Sequence, residues 1–384
     1  MTPRFSVLLP TRNGGAFIAD CIHSVLSQDF ADFELIVSDN ANDDDTPRVL
    51  AGITDPRVKV IRQQRVLPVH ENWNAALAAA SGAYMLMLGD DDYLLPGALR
   101  RLDQVLSSSG DPDCALFNGF SYAAPNSVDT GTDSYWAPFH HRYDASFIPG
   151  VIERAKRTAI VRDMFRFRQR IPLNMQTVVL SMGVIGSMQG AVFRPPFPDH
   201  YLLNSLLITA GTWIYVPERL VVVGVSPKSF GRYFYRQQGG AGLAYLGIET
   251  RFPGALPGNE LLNGMYQWLI LLLENHSTAL GGIKIDRSAY LIRQVRFWWL
   301  QLRHGAISRS EFLRRFGLLS ARDGGLLAAA PFDAEVWRRL FSTIFRRKRT
   351  HAEALWSGLR PLSGIANCRE FAGWIVRQDS GTGT

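Results

Sequence analysis

Cysteine is scarce in this sequence, which has only three among its 384 residues. Cys21, Cys114 and Cys368 lie far apart and show no metal-ligand spacing. Neither a disulfide framework nor a cysteine-based zinc site is therefore expected. We interpret the three side chains as buried thiols in a reducing compartment.

Long apolar segments are lacking as well. The run WLILLL, Trp268–Leu273, is far too short to span a bilayer. The first residues, MTPRFSVLLPTRN, lack the charged start and the long apolar stretch of a secretory signal. We therefore expect a cytoplasmic protein, with any membrane contact peripheral and at the inner face of the cell membrane.

A glycine-rich phosphate loop is the third missing feature. The first apolar segment leads into PTRNGGAF, residues 10–17, which fits neither GxGxxG nor GxxxxGK[ST]. Phosphate groups would have to be held in another way. A carboxylate-bound cation is the natural substitute.

What the sequence does contain is a regular alternation of apolar and helical segments up to residue 122. Strands are predicted at Phe5–Pro10, Phe33–Asp39, Val58–Gln63, Ala83–Leu88 and Asp113–Tyr122. Helices are predicted at Gly15–Gln28, Thr46–Ile53, Glu71–Gly82 and Pro96–Ser108. An aspartate should cap the second helix, and Gly82 should end the third. This pattern predicts an α/β fold with a mostly parallel sheet flanked by helices.

The pattern changes in the later part of the chain. It predicts a basic helical segment at Pro149–Pro172, a helix from about Pro198, and two short strands within Trp213–Ser226. Beyond the glycine-rich stretch Gln237–Gly247 it is helical. We therefore predict an α/β domain over residues 1–236 and a helical accessory domain over residues 237–384.

Three consecutive aspartates, Asp90–Asp92, follow the fourth predicted strand in the stretch MLMLGDDDYLLPG. In parallel sheets, ligands bind beyond the carboxyl ends of the strands. Asp39, which ends the second strand, and residues 11–13, which follow the first, should share a crevice with this triplet. Because adjacent carboxylates repel one another and oxygen ligands suit Mg²⁺ or Mn²⁺, a cation site is favoured over a solvated turn.

A second acidic triplet, Asp43–Asp45, lies in NANDDDT and precedes a predicted helix. Helix capping and the helix dipole are sufficient reasons for acidic residues at that position. We therefore assign no metal to this triplet.

Three segments, in order, resemble the motifs of family 2 glycosyltransferases, which have a GT-A fold. They are FSVLLPTRN, FELIVSDNANDDDT and NAALAAASGAYMLMLGDDDYLLPGAL. The resemblance is strong over about residues 4–105, weakens to about residue 226, and then stops. It implies an inverting, metal-dependent transfer of a sugar from a nucleotide sugar, expected to be UDP-linked, to a hydroxyl of a saccharide or lipid-linked acceptor. Such reactions serve bacterial surface polysaccharide assembly.

The resemblance also implies residue roles. Asp39 would contact the nucleotide base, and Asp91 and Asp92 would hold Mn²⁺ or Mg²⁺ against the pyrophosphate. The other donor-binding candidates are Pro10, Thr11, Arg12, Asn13, Asn74 and Asp90. The family places its catalytic base near the start of a helix after the sheet, which best matches Asp199 in FPDHYLLN, with His200 as the substitute. A helix cap is the alternative role for Asp199.

Three positions depart from the family pattern. Gly89 replaces the first aspartate of the metal motif, Arg12 replaces a frequent tyrosine, and Trp73 stands where arginine is common. Arg12, Arg62 or Arg65 would then have to neutralise phosphate charge.

Other functions stay open. A sugar nucleotidyltransferase would also use metal-binding aspartates, although it would carry a basic glycine-rich loop, and a non-catalytic nucleotide-sugar-binding protein is a further alternative. The basic segments RQVRFWWLQLRH, Arg293–His304, and FRRKRTH, Phe345–His351, match no nucleic-acid-binding module, so no nucleic acid partner is expected. With a net charge of +7, they are either solvated helix faces or sites that attract an anionic membrane or a phosphorylated acceptor.

Overall fold

The computed structural model describes residues 2–127, 133–139, 149–168, 173–229, 244, 247, 252–303, 305–329 and 358–381. The strands are β1 (Phe5–Thr11), β2 (Phe33–Asp39), β3 (Val58–Arg62), β4 (Tyr84–Met87), β5 (Tyr93–Leu94), β6 (Cys114–Ala123), β7 (Ser134–Phe139), β8 (Gly150–Val151), β9 (Val178–Ser181), β10 (Trp213–Val225) and β11 (Arg360–Leu362). The helices are α1 (Ile18–Leu26), α2 (Thr46–Ala51), α3 (Val69–Ala78), α4 (Ala98–Ser108), α5 (Arg154–Phe165), α6 (Met182–Gly186), α7 (Pro198–Thr209), α8 (Glu260–Leu280), α9 (Arg287–Arg303), α10 (Arg309–Phe316), α11 (Ala321–Ala329) and α12 (Cys368–Gly381).

These strands form one mixed sheet. Its order is β11-β7-β6-β9-β4-β1-β2-β3, and β10 pairs with β5, β6 and β8. β1 runs parallel to β2 and β4, and β2 runs parallel to β3. β9 runs antiparallel between β4 and β6. The predicted α/β class is confirmed, and antiparallel strands extend the parallel part that the sequence indicated.

Each face of the sheet has its own apolar core. Val7 and Leu9 of β1 pack with α1 and α4, whereas Leu8 packs on the other side with α3, α7 and α8. All three side chains are completely buried. The strands therefore have continuous apolar sequences because helices cover both faces.

One predicted pair of strands is a single element. The segment Trp213–Ser226 contains the continuous strand β10, whose register against β6 shifts between Val216 and Val221. Pro217 lies within this irregular stretch and cannot donate to the ladder. The proline explains why the sequence pattern indicated a break where the chain continues.

Two helix-end assignments also changed. The helix α3 ends at Ala78, and the Gly82 N–H instead donates to Ser6 Oγ at 2.8 Å. A Cβ on Gly82 would lie 2.7 Å from the Ser6 nitrogen, so this glycine allows a close approach to β1. At α2, the N-cap residue Asp45 makes no side-chain capping hydrogen bond, and the preceding Asp44 Oδ1 instead accepts one from the Thr46 N–H at 3.0 Å.

The later region is helical from α8 to α11, as predicted, and α8 packs against α7. Residues 358–381 differ from this expectation, because they add strand β11 to the sheet and pack α12 beside it. The predicted boundary at residue 236 and the segment Phe345–His351 lie outside the described residues. The division into two domains therefore stays a prediction.

Among the helices described, none combines the length and the apolar character needed to cross a membrane.

Candidate functional site

The ends of β1, β2 and β4 meet at one edge of the sheet. Thr11 at the end of β1 lies opposite Asp39 at the end of β2. Residues 89–92, here called the acidic turn, follow β4 closely. Thr11 Oγ1 donates to Asp90 Oδ2 at 2.6 Å, so the residues after the first and fourth strands are in contact. The ends of these three strands therefore lie together at this edge of the sheet.

Strand β10 holds the acidic turn through main-chain groups. The two carboxylate oxygens of Asp92 accept hydrogen bonds from the Gly89 N–H at 2.5 Å and the Gly224 N–H at 2.8 Å. Asp91 Oδ2 accepts one from the Ser226 N–H at 3.0 Å. A Cβ on Gly224 would lie 1.9 Å from the Asp91 carbonyl oxygen. Only a glycine at that position allows β10 to approach the turn this closely.

The three carboxylates of the turn lie beside one another, with Asp92 almost fully buried and Asp90 and Asp91 partly buried. Burial and the neighbouring Asp91 carboxylate raise the pKa of Asp90 to about 7. Burial raises the pKa of Asp91, and burial together with Asp91 raises the pKa of Asp92 well above its usual value. The folded chain therefore resists collecting three negative charges here, and a bound cation would relieve that repulsion.

The acidic turn opens into a cleft of about 810 Å³, its open mouth included. Predicted site residues that line it are Pro10, Thr11, Arg12, Asn13, Asp90 and Asp91. Its apolar lining includes Phe17, Val66, Leu67 and Trp73. Such a combination of apolar walls and a few polar groups is typical of small-molecule sites.

Lys228 also lines the cleft, and the sequence analysis missed it. Its Nζ donates to the Asn13 carbonyl oxygen at 2.7 Å and lies 3.4 Å from Asp44 Oδ2. Lys228 follows the end of β10, which is parallel to β6. The rule that ligands bind at strand ends would have selected it, had Trp213–Ser226 been recognised as one strand of the sheet.

The predicted phosphate-neutralising arginines are placed differently from one another. Arg12 lines the cleft and pairs with Asp43 at 3.1 Å. Arg65 pairs with Glu71 at 3.6 Å, and the cleft lining does not include it. Arg12 and Lys228 are thus the cations that the structure brings to the cleft wall.

Asp39 is almost fully buried, and the cleft lining does not include it. Its two carboxylate oxygens accept hydrogen bonds from the Asn42 N–H and from Arg62 Nη1, each at 2.9 Å. The adjacent Asn40 lines the cleft and exchanges hydrogen bonds with the Leu67 main chain at 2.7 and 2.9 Å. Arg62 therefore neutralises Asp39 in this structure.

Asn74 connects α3 to the loop before α7. Its side-chain amide donates to the Phe193 carbonyl oxygen at 2.8 Å and accepts from the Phe193 N–H at 3.1 Å. Beside it, the Trp73 ring meets the Phe193 ring edge-on at 5.3 Å. The observed contacts of Asn74 hold this loop in place, and the cleft lining does not include the residue.

Asp199 lies in the first turn of α7, while Phe197 occupies the N-cap position. The helix dipole favours a carboxylate there. Asp199 Oδ2 is 3.7 Å from His200 Nδ1. His200 packs against Trp268 with ring centroids 4.7 Å apart, and burial lowers its pKa, which favours the neutral imidazole. The cleft lining includes neither Asp199 nor His200.

No group of three or more His, Cys, Asp or Glu side chains in the described ranges could hold a metal ion by itself. An ion at Asp91 would take its other oxygen ligands from water and from a bound phosphate, which is usual for Mg²⁺. The partly buried Asp90 and Asp91, with raised pKa values, fit such an ion.

Residues 6–162 match the family model described as glycosyl transferase family 2. A Campylobacter jejuni protein named GalNAc(5)-diNAcBac-PP-undecaprenol beta-1,3-glucosyltransferase is 40% identical over 105 residues, 27% of this chain and 34% of the relative. The succinoglycan biosynthesis protein ExoO of Rhizobium meliloti is 32% identical over 108 residues, 28% of this chain and 31% of the relative. The chain thus spans about a third of the length of each of these two relatives.

A crystal structure of S. aureus TarS residues 1–349 in complex with UDP-GlcNAc covers 77% of this chain and 80% of that chain, with 14% identity and a TM-score of 0.45.

Proposed function

We propose that this chain, which belongs to glycosyl transferase family 2 through residues 6–162, moves a sugar from a nucleotide-sugar donor to a hydroxyl of a saccharide or lipid-linked acceptor. The observation that carries the proposal is the acidic turn, whose partly buried Asp90 and Asp91 carboxylates line a cleft that also presents Arg12 and Lys228. The names of the two bacterial relatives support a role in surface polysaccharide assembly.

Manganese or magnesium bound at the turn would supply charge neutralisation for the departing nucleoside diphosphate. Asp91 would hold the ion, because its carboxylate lines the cleft, and Asp92 behind it would fix the turn and complete the acidic site. Asp90, which is held by Thr11, would face the ribose. Lys228 would add a positive charge beside the diphosphate.

Asp39 and residues 10–13 are assigned to the nucleoside, which we expect to be uridine. Asp39→Ala should weaken UDP binding by about 1.5–3 kcal/mol, the range for a lost charge-assisted hydrogen bond. Calorimetric titration with UDP measures the change. An unchanged affinity would remove Asp39 from the donor site.

Asp199 is assigned as the base that takes the proton of the acceptor hydroxyl, with attack from the face opposite the leaving group and inversion at the anomeric carbon. Asp199→Asn should bind UDP like the wild type and lose about 10²- to 10⁴-fold in transfer. His200→Asn serves as the comparison. If transfer falls in that variant and not in Asp199→Asn, the role belongs to His200.

The overall proposal is tested by screening nucleotide sugars with MnCl₂ and candidate acceptors, and measuring the nucleoside diphosphate released. We expect release that stops in EDTA. Pyrophosphate formed from a nucleoside triphosphate and a sugar phosphate would instead identify a sugar nucleotidyltransferase. Donor binding without turnover would favour a non-catalytic nucleotide-sugar-binding protein.

We also propose that α9 and α10 contact an anionic membrane surface at the inner face of the cell membrane. Large apolar side chains exposed there are Trp299, Leu313, Phe316 and Leu318. The Phe312 ring lies 6.3 Å from the Trp299 ring and 5.3 Å from the Phe316 ring, which connects the aromatic residues of the two helices. Residues 287–329 contain eight arginines and two acidic residues, a net charge of +6. Anionic lipid complements this charge, at about 1 kcal/mol per basic residue near the surface.

Co-sedimentation with vesicles of phosphatidylcholine, with and without phosphatidylserine, tests the membrane contact. Leu313→Glu should abolish binding to the anionic vesicles, whereas Val151→Glu, at another exposed apolar residue, should not. Equal recovery of the wild type with both vesicle types would reject an anionic partner. The segment Phe345–His351 lies outside the described residues, and its part in such a contact stays a prediction.

A further inference from the structure

Residues 358–381, here called the C-terminal segment, return to the sheet from the far end of the chain. Strand β11 pairs antiparallel with β7. Phe371 of α12 is completely buried, and its ring stacks on the Tyr122 ring with centroids 5.1 Å apart. The Tyr122 hydroxyl donates to the Ile365 carbonyl oxygen at 2.9 Å across 243 residues of sequence. The C-terminal segment is therefore built into the sheet that carries the candidate site.

The first residue of α12 contacts the acidic turn directly. Cys368 Sγ donates to the Asp91 carbonyl oxygen at 3.0 Å. From α1, Cys21 Sγ donates to the Gly89 carbonyl oxygen at 3.3 Å. Two thiols from opposite ends of the chain thus hold two carbonyl groups of one four-residue turn.

Asp91 is held by both its side chain and its main chain. The Ser226 N–H holds its carboxylate, and Cys368 holds its carbonyl oxygen. Removal of the second contact would loosen the peptide unit of Asp91, whose carboxylate lines the cleft. The ion pair between Arg369 and Asp20 of α1, at 3.6 Å, keeps this end of α12 in place.

We propose that the C-terminal segment, residues 358–381, positions the acidic turn, with Cys368 as its contact residue, and in this way serves the donor site. The link to metal and donor rests on the proposed function; the positioning of the turn does not. Cys368 is a positioning residue, because it contacts the main chain of Asp91.

Hydrogen–deuterium exchange of the full-length protein, without ligand, tests the positioning. Cys368→Ala should speed exchange of the main-chain amides of the acidic turn by about three- to tenfold, the equivalent of one lost hydrogen bond. Cys368→Ser, which restores a donor, should recover part of the protection. Val376→Ser, at a half-exposed residue of the same helix, is the matched control. Unchanged exchange in Cys368→Ala would overturn the proposal.

Calorimetric titration with UDP in saturating MnCl₂ tests the link to the donor site. Cys368→Ala should weaken UDP binding by a similar factor, while Val376→Ser binds like the wild type. If the wild type binds no UDP, the donor assignment fails and the exchange measurement alone decides the positioning role. If UDP binding is unchanged while exchange is faster, the segment orders the turn without serving the donor, and the proposal is rejected in that respect.

Discussion

The chain contains the same acidic triplet twice, at Asp43–Asp45 and Asp90–Asp92, and the fold treats the two in opposite ways. In the first triplet, burial opposes ionisation of Asp44, but hydrogen bonds from Thr46 outweigh it and lower the pKa to about 2. In the second triplet, burial dominates and raises the pKa of every member. Asp44 is thus stabilised as a charge, whereas the carboxylates of the second triplet are not.

The elements around each triplet explain this difference. The first lies before α2, where the N–H groups of a helix start favour carboxylates. The second follows a buried strand and is enclosed by β10 and α12. Strongly raised pKa values beside a cleft are typical of functional sites. Surroundings, and not composition, therefore separate a helix cap from a candidate metal site.

The largest expected effect comes from replacing one aspartate in each triplet. Asp91→Asn should lower turnover by at least about 100-fold, because the metal would lose its ligand on the cleft wall. Asp45→Asn, which removes an exposed partner of Arg48, should leave turnover unchanged. Release of nucleoside diphosphate under MnCl₂ measures both. Equal activity of the two variants would contradict the proposal that the second triplet, and not the first, binds the metal.

A methyl group on β10 should disturb the second triplet selectively. Gly224→Ala would place a Cβ against the Asp91 carbonyl oxygen and should cost about 1–3 kcal/mol of folding stability, together with most of the activity. Gly324→Ala has open space around its Cβ and lies inside α11, so it should stabilise by about 0.5–1 kcal/mol. Urea unfolding measures both changes. A neutral Gly224→Ala would show that β10 does not constrain the turn.

The pH dependence of stability should have opposite signs at the two triplets. Asp90 has a folded pKa of about 7 against an ordinary value of 3.8, so it costs no stability below pH 3.8, and its destabilising contribution grows as the pH rises from 3.8 to about 7 and stays constant above. Asp90→Asn can still accept the Thr11 hydrogen bond. In EDTA, it should therefore melt at a higher temperature than the wild type above pH 7, with the gain disappearing in acid. A lower melting temperature above pH 7 would contradict the raised pKa.

The smallest effect is expected at Asp44. Its folded pKa of about 2 lies below the ordinary 3.8, so its contribution to stability is fully present above 3.8 and is lost as the pH falls through about 2. Asp44→Ala should lose about 1 kcal/mol of folding stability near neutrality, as for a helix cap. Urea unfolding at several pH values measures this loss, which should shrink in acid. A loss that grew in acid would contradict the lowered pKa of Asp44 in the folded protein.

Much of the parallel part of the sheet could be predicted from periodicity alone. The bounds of β2 were predicted to the residue, and those of β1, β3, β4 and β6 to within one residue at each end. These strands are continuous apolar runs, and apolar residues recur with the helical period in the helices between them. The local sequence is therefore enough to predict both kinds of element. β10 was predicted as two strands because Pro217 interrupts its pattern, while pairing with β6 overrides that interruption.

Only some of the residues of the candidate site could be predicted from the sequence. Thr11, Asp90 and Asp91 could be placed at one cleft because all of them follow strands of a parallel sheet. Lys228 was missed together with its strand. The ion pair of Arg62 with Asp39 and the hydrogen bond from Asn74 to Phe193 join residues that are distant in sequence. A local sequence pattern cannot predict such contacts.

By itself, the sequence determined the class of fold, the order of the first strands and helices, and the edge of the sheet where polar residues collect. These follow from hydrophobic periodicity and from the rule that parallel strands end together. Tertiary structure alone decided that Asp92 is buried, that Lys228 faces the cleft, and that Cys368 reaches Asp91 across 277 residues. The physical reason is that pKa values and contacts of this kind depend on burial and on partners brought together by folding, which neighbouring residues in the chain do not specify.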